Sequence, residues 1–386
     1  MPYWRLSSVY FFYFAVVGAI SPYWGLYLES VAFSPAEIGL LSAIPMITKI
    51  AAPNIWGVLA DFSGRRLTII QLGALGACVF FCGVFISNNL LWLAFFITVF
   101  SFFWNAILSQ FEVVTLNHLG DQAHDYSRIR LWGSIGFIVA VVGLGLLFDA
   151  VSVTHLPLVI FIFLLGIFLS TLTLPREKRS RKSGSPGNFL KVLRAPIVII
   201  FFAVMVLLQV SHGVYYTFYS IYLESLEYSR TLIGVMWAIG VIAEIVLFLK
   251  MPLLLRRFSA EHLLLFTLGI TALRWAVIGW LADWLVLLVL AQLIHAFSFG
   301  AAHALSVEFV RVRFGRKSQG QGQALYSALC FGGGNAIGAY LSGILWQISA
   351  EAAFLLSLLV TLAALLIFQL TAERYQFFDK QPCVIS

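Results

Sequence analysis

A chain of 386 residues that is 61% hydrophobic and 11% charged, with a mean hydropathy of +0.95, cannot cover itself with polar surface in water, which excludes a soluble fold. The apolar runs are continuous and do not alternate, which excludes a transmembrane β-barrel. The net charge of +7 follows a membrane-topology bias set out below and calls for no nucleic-acid partner.

Twelve spans are predicted, near residues 7–28, 36–60, 67–87, 90–117, 130–148, 156–174, 196–223, 231–254, 262–282, 285–309, 321–346 and 352–371. The first run is too long for a cleavable signal peptide and lacks a small-residue cleavage site, so it is read as the first span. After the sixth span comes PREKRSRKSGSPGNFLKVLRAP, from Pro175 to Pro196, basic, rich in Ser and Gly and without apolar periodicity. It reads as a solvated linker. The expected organisation is an all-α membrane protein: a six-helix bundle over 1–174, a cytoplasmic linker over 175–195, a second six-helix bundle over 196–371 and a cytoplasmic tail over 372–386.

With both termini on one side, that side holds Arg5, Arg65, Arg66, Arg128, Arg130, Arg256, Arg257, Arg311, Arg313, Arg316, Lys317, Arg374, Lys380 and the linker. The opposite loops hold only Arg230, beside Glu29, Asp149, Glu224, Glu227, Asp283 and Glu351. The positive-inside rule then places both termini in the cytoplasm of a chain in the inner (plasma) membrane. Cys78, Cys82 and Cys330 have no metal-binding spacing. The C-terminal Cys383-Val-Ile-Ser386 fits a prenylation box, but twelve spans need no lipid anchor.

Residues 27–49, YLESVAFSPAEIGLLSAIPMITK, reappear at 222–244 as YLESLEYSRTLIGVMWAIGVIAE, at a constant offset of 195. Tyr27/Tyr222, Leu28/Leu223, Glu29/Glu224, Ser30/Ser225, Ser34/Ser229, Gly39/Gly234 and Ala43/Ala238 are identical, and Lys49 falls opposite Glu244. Parallel halves related by an axis along the membrane normal are one repeat pattern of secondary transporters. Gly18, Gly25, Gly143, Gly145 and Gly332–Gly334 are read as points where helices approach closely.

After the second span comes Gly57-Val58-Leu59-Ala60-Asp61-Phe62-Ser63-Gly64-Arg65-Arg66. It resembles the loop between the second and third helices of the major facilitator superfamily. Asp61 closes the end of a helix, where the dipole disfavours a carboxylate, so it needs a cation or a helix N-terminus from a neighbour. Asp125-Tyr126-Ser127-Arg128-Ile129-Arg130-Leu131-Trp132-Gly133-Ser134-Ile135-Gly136 opens the fifth span. It is similar to the corresponding stretch of the lactose permease and nucleoside symporter branch, and most of all to the 3-phenylpropionate transporter family. The likeness continues in Gly240–Glu244, Leu273-Arg274-Trp275, Gln292–His295 with His303 beyond, and Gln323–Ala328. It implies two pseudo-symmetric six-helix bundles that rock about a midplane site. Two departures stand out. Lactose-permease-like symporters carry His-x-x-Glu on the tenth helix, where His295 is here followed by Ser298. The Gly/Pro signature of drug antiporters is incomplete, for the fifth span has no proline.

An ionisable side chain at mid-depth costs roughly 2.5–3.5 kcal/mol, so it must face protein, water or a partner. Lys49, Glu244, Arg274 and His295 lie deep, and His212 and His303 are further polar interruptions. Lys49, Glu244, Arg274, His295 and His303 are the candidates for substrate binding or proton coupling. Glu112 and Glu308, 196 residues apart, lie towards helix ends near Arg128, Arg130, Arg311 and Arg313. With Asp61, Arg65, Arg66 and Arg130 they are the candidate gating residues. Tyr13 and Tyr216 sit deep enough to stack on an aromatic ligand, although packing explains them as well.

The expected function is secondary active transport of a small organic solute by alternating access: proton-coupled uptake of an aromatic carboxylate such as a phenylpropionate-like acid. The alternative is proton symport of a sugar or nucleoside. No nucleophile or metal-ligand motif stands on any span, so neither an enzyme nor a cofactor is expected. The expected partners are the substrate, protons and the lipid bilayer, with the chain as a monomer.

Overall fold

A computed structural model describes residues 2–119, 125–175 and 189–378. Among these residues, twelve helices are long and apolar enough to cross a membrane. They are α1 (Tyr3–Ser30), α2 (Pro35–Ser63), α3 (Arg66–Phe85), α4 (Leu90–Leu119), α5 (Tyr126–Ala150), α6 (Val153–Leu172), α7 (Pro196–Ser225), α8 (Arg230–Arg257), α9 (Ala260–Leu281), α10 (Leu285–Gly315), α11 (Ser318–Trp346) and α12 (Ala350–Tyr375).

Every predicted span is present, and several begin at polar residues that cap the helix. Ser34 and Glu37 form a capping box at the start of α2. Asn89 accepts the N–H groups of Leu91 and Trp92 at the start of α4. Ser259 and Ser349 cap α9 and α12 in the same way. Gly64 ends α2 in the left-handed region at φ 64, the tight turn its sequence context implies.

The helices form two compact units, Met1–Lys182 with Tyr216–Ala238, and Ser183–Tyr215 with Ile239–Ser386. In the first, α1 packs on α5 and α6, and α4 packs on α2 and α3. Backbones touch there: a Cβ on Gly136 would lie 2.2 Å from the Phe11 carbonyl oxygen. The ends of α7 and α8 around the 225–230 turn belong to this unit, although the rest of both helices does not. Of the glycines read as close-approach points, Gly143 is an exception, with nothing within 4 Å of its Cβ position.

In the second unit α9 packs on α10 and α12, and α7 packs on α11 and α12. Three of its spans are irregular. The α7 helix breaks at His212, between Pro196–Ser211 and Gly213–Ser225. Wide π turns occupy Ala296–Ala301 in α10 and Ser327–Gly334 in α11. Such turns recur at functional sites. Phe189–Leu193, from the linker, is a short helix; residues 176–188 lie outside the described residues. The start of the tail is folded back. Phe377 is fully buried against Phe368, Phe201 and Phe309, and Arg313 donates to the Gln376 and Phe377 carbonyls. The remainder of the tail, with Lys380 and Cys383, lies outside the described residues.

Candidate functional site

The second unit holds four of the five candidates for substrate binding or proton coupling: Glu244, Arg274, His295 and His303. Arg274 of α9 is fully buried. Its Nε donates to the Ala291 carbonyl at 2.9 Å and its Nη1 to the Ser298 hydroxyl at 3.3 Å. The guanidinium lies 4.3 Å from the Tyr215 ring centroid and 4.7 Å from that of Trp275. Both rings are themselves anchored, Tyr215 Oη donating to Gln292 Oε1 and Trp275 Nε1 to Ser211 Oγ. A buried cation held by a carbonyl, a hydroxyl and two aromatic faces is spread over neutral partners. The Ser298 that stands where lactose-permease-like symporters carry a glutamate is therefore a direct partner of Arg274.

His295 of α10 is buried beside this cluster, and its Nδ1 has no hydrogen-bond partner. Its ring lies 5.3 Å from Tyr215 and stacks on Phe299 at 5.6 Å. Phe299 stacks in turn on His303 at 6.3 Å, and His303 on Tyr326 at 5.8 Å. The residues 295, 299 and 303 repeat every fourth position, so the helix aligns them on one face. Glu244 of α8 packs against the π turn of α10: its Cγ is 3.0 Å from the Cβ position of Gly300. It also lies within electrostatic reach of Tyr215. One turn earlier, the Cβ position of Gly240 is 3.3 Å from His295 Cδ2. Two glycines thus let α8 and α10 bring Glu244, His295 and Arg274 into one neighbourhood.

The first unit holds Lys49 on α2. The residue is half-buried and has no ion-pair or hydrogen-bond partner among the described residues. The preceding residue, Thr48, belongs to a neutral polar network between α2 and α4. Thr48 Oγ1 donates to Ser101 Oγ at 2.9 Å, and Asn105 Nδ2 donates to Thr48 Oγ1 at 3.0 Å and to the Pro45 carbonyl at 3.1 Å. On the same face of α4, Trp104 stacks between Tyr13 and Phe100.

The candidate gating residues separate into different surroundings. Glu112 is hydrogen-bonded to Tyr126 and lies within electrostatic reach of Arg130. Arg130 sits 4.0 Å over the Phe14 ring and 5.6 Å from that of Tyr10. Its sequence counterpart Glu308 instead pairs with Arg311 one turn along its own helix, half-exposed. Asp61 pairs with Arg66 across its own turn, and Arg66 also donates to Gln110 of α4. Arg65 beside them is exposed.

Sequence reasoning missed Tyr215, Gln292 and Ser298 as the partners of the charged cluster. One signal was available: Gln292, His295 and Ser298 are spaced three apart, on one helical face.

A family described as "MFS_1 like family" matches residues 3–356, and the chain belongs to that family. The probable 3-phenylpropionic acid transporter of Escherichia coli (strain K12) is 29% identical over 366 residues, covering 93% of this chain and 95% of that protein. The maltose permease of Geobacillus stearothermophilus is 25% identical over 384 residues, covering 95% and 93%. Among solved structures, that of a mutant of the nucleoside transporter NupG superposes with a TM-score of 0.87 at 18% identity, covering 95% of this chain and 99% of that one. The fold is that of a major facilitator transporter, and the chain is a multi-pass membrane transporter, not an enzyme.

Proposed function

We propose that this chain takes up a small aromatic carboxylate, of the size of phenylpropionate, together with a proton. One observation carries the reading. Lys49 is an unpaired cation among the described residues of a membrane-spanning helix, and such a charge calls for an anion. Arg274 is held by Ala291, Ser298 and two rings, so it is assigned to organising the second unit and the anion to Lys49. The relative named as a probable 3-phenylpropionic acid transporter supports the same substrate class. Glu244 and His295 are the residues assigned to the proton. His295 has a free ring nitrogen, and Glu244 sits against the π turn that follows His295 and brings Ser298 to Arg274. His303 extends the ring stack and is assigned to substrate contact.

Proton symport of a sugar or nucleoside is the second reading. The Thr48–Ser101–Asn105 network beside Lys49 favours it, since neutral hydrogen-bonding groups suit hydroxyls. Relatives named for maltose and nucleosides support it too. On either reading the termini are cytoplasmic, the chain acts as a monomer in the inner membrane, and Asp61, Arg65, Arg66, Glu112, Arg130 and Glu308 serve gating.

Uptake into proteoliposomes tests the assignment. Phenylpropionate, maltose and a nucleoside are supplied separately, with and without an inward proton gradient. The expected result is accumulation of the acid alone, and only with the gradient. Accumulation of maltose or the nucleoside, with no response to the acid, overturns the anion reading.

A further inference from the structure

The start of α8 is held by a residue of α5. The first N–H groups of any helix lack partners within it. Here Asp149 supplies them: Oδ1 accepts the Arg230 N–H at 2.8 Å, and Oδ2 accepts the Thr231 N–H at 3.1 Å together with the Thr231 hydroxyl. The Arg230 side chain returns the contact, donating from Nη1 to the Phe148 carbonyl at 2.9 Å, while its Nε bonds Glu224 at 3.0 Å. A carboxylate at a helix N-terminus gains from both the hydrogen bonds and the helix dipole.

Beneath the carboxylate the two backbones touch. A Cβ on Gly145 would lie 2.5 Å from the Arg230 carbonyl oxygen, and one on Gly234 would lie 2.1 Å from that of Val141. Tyr23 of α1 donates to the same Val141 carbonyl at 2.5 Å. On α1 the Cβ position of Gly25 is 2.5 Å from the Thr217 carbonyl oxygen of α7. On α5, 141, 145 and 149 are each one turn apart, as are 230 and 234 on α8, so glycine and capping contacts run along one seam. All of these residues belong to the first compact unit, which takes only 216–238 from α7 and α8. The seam therefore fastens the tips of two helices whose other ends belong elsewhere.

We propose that Asp149 closes a clasp on the N-terminus of α8, seated on Gly145 and Gly234, and that the clasp opens and closes once in each transport cycle. Its strength sets how long the end of the protein remote from the termini stays shut. The substrate plays no part in this argument. The Asp149 carboxylate is well suited to a contact that must release. It is one short side chain against two amides and a hydroxyl, with no apolar plug to withdraw.

The test uses the full-length protein in nanodiscs, where a hydrophilic maleimide reaches both faces, with the four native cysteines replaced. Val141→Cys places a thiol in the seam, at a position that is fully buried when the clasp is shut. Adding Asp149→Asn should raise its alkylation rate about fivefold to tenfold, because Asn offers one acceptor where the carboxylate offers two, a loss on the scale of a helix cap. Gly234→Ala should raise it as well, while Gly143→Ala, on the helix of Val141 but with open space around it, should leave it unchanged. In a second arm, in proteoliposomes, Asp149→Cys with Thr231→Cys is joined by a short bifunctional thiosulfonate. Exchange flux should then stop and return on reduction. Alkylation unmoved by Asp149→Asn, or full flux in the cross-linked protein, overturns the proposal. Alkylation needs no substrate, so a shift there without uptake of any tested solute would count against the substrate assignment alone.

Discussion

The two cations that the sequence places deep in the membrane, Arg274 and Lys49, are treated in opposite ways. Arg274 is enclosed by a carbonyl, a hydroxyl and two aromatic rings, each of known partner. Lys49 stands beside a neutral network that bonds within itself, through Thr48, Ser101 and Asn105, and leaves the ammonium aside. A planar guanidinium with five donors suits a fixed multi-point site, whereas an ammonium on a flexible stem suits a partner that comes and goes. The contrast divides structural charge from working charge, and variants at each position should give opposite signatures.

Arg274→Leu should have the largest effect. It removes hydrogen bonds to Ala291 and Ser298 and the ring contacts in one step, a loss of about 3 kcal/mol at charged-group values. Thermal unfolding in detergent should show a clear drop, and transport should fall with it. Arg274→Lys should recover little, since an ammonium cannot reproduce the fork. An Arg274→Leu protein of normal stability that fails only in transport would move Arg274 to the working side of the comparison.

Coupling comes next. Glu244→Gln and His295→Gln should each abolish uptake against a gradient while leaving counterflow exchange, which moves no net proton. Unfolding temperature should stay near wild type. Unimpaired accumulation in both variants removes them as proton sites and turns attention to Glu112, a glutamate hydrogen-bonded to the half-buried Tyr126.

Lys49→Met should give the reverse of the Arg274 signature: normal stability, and anion affinity reduced at least tenfold, the scale of about 1.4 kcal/mol. The double variant Lys49→Met with Glu244→Gln sharpens this. Lys49 and Glu244 occupy matching repeat positions, so a purely structural pair would recover transport when both are neutralised. An anion site would fold normally and still fail to bind the acid. Unchanged affinity in the double variant defeats the anion reading.

The same division explains what the sequence made legible. Twelve spans stood out because long apolar runs have few other uses, and a charge within such a run is conspicuous. Lys49, Glu244, Arg274 and His295 were therefore visible. Their neutral partners were not: Gln292 entered only as part of a motif and Ser298 only as a departure from one, and nothing in the sequence tied Tyr215, Gln292 or Ser298 to Arg274. The π turns of α10 and α11 depend on packing and leave no periodic trace. Phe377 read as part of a tail, and only the pocket formed by Phe201, Phe309 and Phe368 shows why it is buried. Grouping 216–238 with α1–α6 rests on backbone contacts at glycines, which a linear pattern of small residues suggests without naming the partners.

The smallest expected effect concerns Asp61, a charge that falls between the two classes. It pairs with Arg66 at the turn and remains about half exposed. Losing a half-exposed carboxylate from a pair whose arginine keeps Gln110 costs about 0–1 kcal/mol, so Asp61→Asn should insert and unfold like wild type. If the turn also serves gating, flux should nevertheless fall severalfold. The swap of Asp61→Arg with Arg66→Asp separates the two roles. It keeps the pair but reverses the charge offered at the end of α2, where the helix dipole favours a cation. A local ion pair predicts wild-type flux in the swap, while a gating carboxylate predicts flux as low as in Asp61→Asn. Wild-type flux in both variants would place Asp61 with Arg274, as a charge satisfied where it stands.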